Sequence, residues 1–143
     1  MELHVTPVEV RFGDTDMFGH INNAAFATFV ESARLAFLRD RLGGTPESPG
    51  GEAGGIILAR LAIDFERQLL FGQKAHVTTR ALRVGRTSIA LEQEVISEGA
   101  RVARAESVIV VYDYEEQRPA EVPAAVRERL GFEPVGEGAS KAE

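Results

Sequence analysis

The 143-residue chain contains no cysteine. Disulfides, thiolate metal sites and a cysteine nucleophile are thereby excluded, and the composition fits a reducing compartment. No apolar run approaches the roughly 20 residues that a membrane-crossing helix needs, and the opening MELHVTPVEV has neither the basic start nor the apolar stretch of a secretion signal. These absences predict a soluble, cytoplasmic protein. Positive charge is in the minority: 16 Lys and Arg stand against 22 Asp and Glu, for a formal net charge of −6. That balance argues against nucleic acid and membrane as partners, while leaving room for a local basic patch around a phosphorylated ligand. A Walker loop, a glycine-rich dinucleotide fingerprint and a GxSxG nucleophile elbow are all missing. The histidines, His4, His20 and His76, are scattered without a metal-ligand spacing. Neither a metal nor a redox cofactor is expected.

The length and a hydrophobic content of 44% are those of one ordinary domain with a substantial core. It is placed at residues 1–132, with 133–143, rich in glycine and small polar residues, as a disordered tail. A first strand is predicted over 5–12. A helix follows over 24–42, with Phe26, Phe29, Val30, Ala33 and Phe37 recurring at spacings of three and four, Asn23 as its N-cap and Gly43-Gly44 as its stop. Six glycines and two prolines within 43–55 mark a flexible connection that serves as a flap or hangs in solvent. Four strands are predicted at 56–66, 74–84, 87–97 and 101–113, with hairpin turns at Gly85-Arg86 and Glu98-Gly99. In the first of these, Ile57, Ala59, Leu61, Ile63 and Phe65 alternate with polar residues and define one face. The run Val108-Ile109-Val110-Val111-Tyr112, which lacks a polar alternate, predicts a strand covered on both faces, and a short helix over 123–130 closes the fold. Five antiparallel strands curled round one long helix is an α+β arrangement whose uncovered sheet edges predict a homodimer or homotetramer.

The densest chemistry lies in Gly13-Asp14-Thr15-Asp16-Met17-Phe18-Gly19-His20-Ile21-Asn22-Asn23, a strand-to-helix connection that aims unpaired helix N–H groups at whatever its carboxylates hold. On physical grounds alone Asp14 and Asp16 read equally as turn and cap residues, His20 as a hydrogen-bonding loop residue, and Asn22 and Asn23 as caps.

The run Phe12-Gly13-Asp14-Thr15-Asp16, then Gly19-His20-Ile21-Asn22-Asn23, then a helix carrying Glu31, Ala33 and Arg34, resembles the hotdog-fold acyl-CoA thioesterases of the 4-hydroxybenzoyl-CoA thioesterase branch. The resemblance implies a hotdog fold, an acyl-CoA substrate, Asp16 as catalytic carboxylate, the backbone N–H of Asn23 as the donor that polarises the thioester carbonyl, and an active site at a dimer interface. The chain departs from the pattern at Gln68-Leu69-Leu70-Phe71-Gly72-Gln73, where relatives often carry a proline and an aspartate.

A thioester suits so spare a site. Its leaving thiol has a pKa of about 8.5, so departure needs no strong general acid. Asp16 would act as general base on water or as nucleophile. His20 is assigned to substrate binding, as are Arg86, Thr87 and Ser88, which would hold coenzyme A phosphates at a hairpin; the alternative for the hairpin is an ordinary solvated turn. Glu31 is the spare carboxylate, its plainer role being a partner for Arg34. Met17, Phe18, Phe26 and Phe29 serve either an acyl pocket or the core. Two other functions compete with hydrolysis: an enoyl-CoA hydratase or dehydratase built on His20 with Asp16 or Glu31, and a noncatalytic acyl-CoA-binding domain.

Overall fold

The structure, a computed structural model, describes residues 3–134. The predicted tail at 133–143 therefore lies outside the described residues except for its first two positions. Strand β1 (His4–Val8) leads through a short 3-10 turn to helix α1 (Asn23–Leu42), and β2 (Ile56–Phe65), β3 (Ala75–Val84), β4 (Ser88–Ser97) and β5 (Ala100–Asp113) follow. A two-residue β6 (Arg118–Pro119) and a short α2 (Ala124–Arg129) complete the chain. The five long strands form one antiparallel sheet in the order β1-β3-β4-β5-β2, and β6 adds a small sixth strand beside the end of β5. Strands β1 and β2 are thus the edges of the sheet.

Helix α1 buries Phe26, Phe29, Val30 and Ala33 against the middle of the sheet toward one end, and Phe37, Leu38 and Leu42 against Ile89, Leu91 and Ile109 toward the other. Polar side chains are buried with these apolar ones, among them Arg34, Thr79, Gln93 and Ser107. Gln93 on β4 is fully buried and donates from Nε2 to the Val30 carbonyl at 2.9 Å and to Thr79 Oγ1 at 3.2 Å. The helix ends as its glycines predict: Gly43 takes a left-handed φ of 74°, and its N–H and that of Gly44 return to the carbonyls of Arg39 and Leu38.

Four local expectations are corrected. The first strand stops at Val8, because the Asp14 carboxylate accepts from the Arg11 N–H at 2.9 Å and the Thr15 hydroxyl donates to the Phe12 carbonyl at 2.7 Å, folding 12–14 into a 3-10 turn. The N-cap of α1 is Asn22, whose Oδ1 accepts from Ala24 N–H at 2.9 Å, and Asn23 is the first helical residue. A bulge between Leu58 and Arg60 shifts the parity of β2, so Ile56 rather than Ile57 joins Leu61 and Ile63 in packing on the core. The glycine-rich 43–55 segment folds closely onto the end of α1, where a Cβ on Gly51 would meet the Leu42 carbonyl oxygen at 2.1 Å. Of the apolar run in β5, Ile109 and Val111 are buried while Val108 and Val110 are half-buried on the outer face.

Candidate active site

The loop from Asp14 to Asn22 is closed by its own backbone. Asp16 N–H donates to the His20 carbonyl at 2.8 Å, Gly19 N–H to the Asp16 carbonyl at 3.1 Å, and Asn22 N–H to the Asp14 carbonyl at 2.7 Å. Gly19 turns the chain with φ of 79°, a left-handed conformation that side chains disfavour. The loop is then stitched to the β2–β3 connection: Ile21 N–H donates to the Leu69 carbonyl at 2.7 Å, and His20 pairs with Leu70 as an isolated bridge.

These bonds bring Asp16, His20 and Asn23 to one cavity of about 310 Å³, at the N-terminal end of α1 and the C-terminal end of β2. Its apolar wall includes Ile21, Phe26, Phe65 and Leu69, with Phe26 and Phe65 edge to face at 5.4 Å. Its polar wall is Glu66, Arg67 and Gln68. Asp16 Oδ1 accepts from Phe18 N–H at 2.8 Å and from His20 N–H at 3.2 Å, which fixes the carboxylate and leaves Oδ2 without a partner among the described residues. The Asn23 N–H is likewise without an acceptor among them, since Asn22 serves the N–H groups of Ala24 and Ala25. Asp16, with one carboxylate oxygen unpaired, and Asn23, with its N–H unpaired among the described residues, thus line the same cavity.

Glu66 is a different kind of carboxylate. Arg101 grips it with two bonds of 2.8 and 3.0 Å, and that guanidinium holds the Glu66 carboxyl below its usual range. It is committed to an ion pair and unsuited to proton transfer.

The remaining predicted residues are elsewhere. Arg86 and Thr87 lie in the β3–β4 hairpin and Ser88 begins β4, opposite Val110 near the N-terminal end of β2, whereas the cavity adjoins Phe65 at the other end. Ten residues of strand separate the two, about 30 Å. Ser88 is only 2% exposed, and Arg86 faces Glu121 at 3.6 Å. Within one chain the hairpin does not meet the Asp16 cavity. Glu31 is on the exposed side of α1 and does not line the cavity either. Of the aromatic candidates, Phe26 lines the cavity, Phe29 is core, and Met17 and Phe18 are 89% and 75% exposed beside the site. Phe65, Glu66, Arg67 and Leu69 went unassigned in the sequence, whose one signal was the unusual 68–73 stretch. Among the described residues, no group of three or more His, Asp or Glu is arranged to hold a metal ion, and no helix is long and apolar enough to cross a membrane.

A single long helix in a curled antiparallel sheet, with a carboxylate loop at the helix start, defines a hotdog-fold thioesterase. The sequence profile of the Thioesterase-like superfamily matches residues 10–130, and the chain belongs to that family. Among solved structures it is similar to a thioesterase of Thermus thermophilus crystallised with coenzyme A and zinc, at 35% identity and a TM-score of 0.77, covering 89% of this chain and 96% of that one. It is also similar to a predicted thioesterase of Bacillus stearothermophilus, at 28% identity and a TM-score of 0.79, covering 90% and 94%. An Arabidopsis thaliana chloroplastic acyl-acyl carrier protein thioesterase is 28% identical over 130 residues, 90% of this chain and 68% of that protein.

Proposed function

We propose that the protein hydrolyses an acyl-CoA thioester to the free acid and coenzyme A. The observation that carries this reading is that Asp16 and the helix-starting Asn23, each with an unpaired polar group among the described residues, line one cavity. The thioester carbonyl oxygen takes the Asn23 N–H, where the helix end favours the negative charge that develops. Asp16 either draws a proton from the attacking water or attacks the carbonyl itself to form an anhydride that water opens. In both routes a C–O bond forms, the C–S bond breaks and the thiolate leaves with a proton. Label appearing in Asp16 after a single turnover in ¹⁸O-water identifies the nucleophilic route in which water opens the anhydride at the Asp16 carbonyl. The cytoplasm is the proposed setting, which the cysteine-free composition fits.

A homodimer is part of the proposal. The ten-residue β2 is an edge strand, and Phe12, Phe65, Leu70 and Phe71 are exposed around the site, an apolar border of the kind that a second subunit covers. The Arg86 hairpin would reach coenzyme A phosphates only from that second copy. Sedimentation equilibrium at micromolar protein tests this, and a monomer that still turns over substrate would overturn it.

Thiol release from acetyl-, hexanoyl-, palmitoyl- and benzoyl-CoA, read with Ellman's reagent, is the direct assay, and the absence of cysteine keeps its background low. Release by the parent and loss in Asp16→Asn is expected. Consumption of an enoyl-CoA without thiol release would favour the hydratase reading, and tight binding without turnover the noncatalytic one.

A further inference from the structure

Arg67 is the one arginine or lysine among the described residues that lines the Asp16 cavity. Nine other arginines among those residues are paired with a carboxylate. Arg67 forms no such pair there: its neighbour Glu66, the nearest acid in sequence, is already held by two bonds from Arg101, which also holds Glu94 at 2.8 Å. The side chain of Gln68, next along the same wall, is also without a hydrogen bond among the described residues. Both residues are exposed, and the Arg67 charge acts on Glu66 without an ion-pair contact; a guanidinium with a primary amide beside it is a receptor for a carboxylate.

The substrate offers two places for an anion, the phosphates of coenzyme A and the acyl group. Distance decides between them. Thirteen bonds separate the thioester sulfur from the first phosphorus, about 15 Å in an extended chain. Asp16, Asn23, Arg67 and Gln68 line one cavity of about 310 Å³, with Arg67 and Gln68 at its exposed edge. With the thioester at Asp16 and Asn23, an arginine lining the same cavity is matched to the acyl side, whereas an extended pantetheine arm carries the first phosphate about 15 Å away.

We propose that Arg67, assisted by Gln68, binds a carboxylate at the far end of the acyl group, so that the preferred substrates are coenzyme A thioesters of short dicarboxylic acids. The inference rests on the acyl-CoA reading above. An acyl chain of about four to six carbons spans the cavity, and the Phe26 and Phe65 rings line its methylene stretch. Asp16 and Glu66 are the anions on the same walls, and Arg101 offsets the second of them.

The test is the ratio of kcat/KM between chain-matched thioesters, adipyl-CoA against hexanoyl-CoA and glutaryl-CoA against pentanoyl-CoA. The parent is expected to favour the dicarboxylic member about tenfold or more. Arg67→Met is expected to bring the ratio to about one, and Arg67→Lys to keep part of it. A parent ratio of one or less overturns the inference while leaving the thioesterase reading intact, and a ratio that Arg67→Met does not move removes Arg67 from it. No thiol release from any of the four overturns the inference, and the thioesterase reading falls with it only if acetyl-, palmitoyl- and benzoyl-CoA are also untouched.

Discussion

Asp16 and His20 are locked together through the backbone in both directions: Asp16 N–H donates to the His20 carbonyl at 2.8 Å, and His20 N–H donates to Asp16 Oδ1 at 3.2 Å. The carboxylate is therefore aimed by peptide groups and needs no side chain to hold it. Asp16→Asn keeps an oxygen for those N–H groups while removing the charge. We expect kcat to fall at least about 100-fold, with thermal unfolding unchanged within a degree or two. Steady-state kinetics beside a melting curve checks both, and near-parent rates would remove Asp16 from the chemistry.

The same lock predicts the behaviour of His20. Its imidazole is not needed for loop closure, so His20→Ala should leave the melting temperature nearly unchanged and act on substrate binding, raising KM more than it lowers kcat. A collapse of kcat with KM unchanged would instead make the ring a proton-transfer group.

Asn23 permits a sharper test, because the proposed group is its N–H. As the first helical residue it is a position where proline is tolerated, and Asn22 before it is already extended, at φ −61° and ψ 137°. Asn23→Pro deletes an N–H that no acceptor among the described residues uses, so the fold should persist while kcat drops by roughly 10²–10³. Asn23→Ala retains the N–H and should lose far less. Equal effects of the two substitutions would place the oxyanion donor elsewhere.

Asn22→Ala should act on stability in the first instance. Loss of the 2.9 Å cap to Ala24 is expected to cost about 1 kcal/mol, lowering Tm by a few degrees. Urea unfolding measures it directly.

A pH dependence follows from the other end of the helix. Hydrogen bonds first from Arg39, then from His4 at 2.7 Å, lower the Asp40 pKa from 3.8 to about 2. A carboxylate with a depressed folded-state pKa contributes stability above its unfolded value and loses it as pH falls through the folded one. The contribution is therefore complete above about pH 4 and fades toward pH 2; because Asp40 is largely exposed, it amounts to at most about 1 kcal/mol. The stability gap between parent and Asp40→Asn should narrow over that window in acid unfolding. A gap that is constant across it would show that the ion pair contributes nothing.

The strands, the long helix and its glycine stop were legible because each has a local signature: alternation, a three-and-four spacing, a left-handed position. The chemistry-bearing loop was legible for the same reason, since Asp14 to Asn23 closes mostly on itself. What stayed hidden depends on pairing between distant segments. Arg67 and Leu69 belong to the site because β2 runs antiparallel to β5, with Phe65 opposite Ala103, and because Leu69 and Leu70 bond to the loop at Ile21 and His20. No periodicity announces such a bridge. The bulge after Leu58 was equally silent, and one extra residue was enough to exchange Ile57 for Ile56 on the core side. Asn22 and Asn23 show the finest limit: either asparagine could cap, and the choice was made by the Asp14 carbonyl, which takes the Asn22 N–H and sets where the helix begins.

Gln93 has a further consequence. Apolar contacts would let α1 slide or roll on the sheet at little cost, because burial has no direction, whereas its bond to the Val30 carbonyl works at only one axial setting. Val30 is seven residues from Asn23, about 10 Å along the helix. The alignment of the helix tip with the carboxylate loop is thus indexed from the middle of the core by an amide that never touches substrate. Residues of the proposed acyl wall are free to be exchanged over evolution for others of different size without disturbing the alignment of the helix tip with the carboxylate loop.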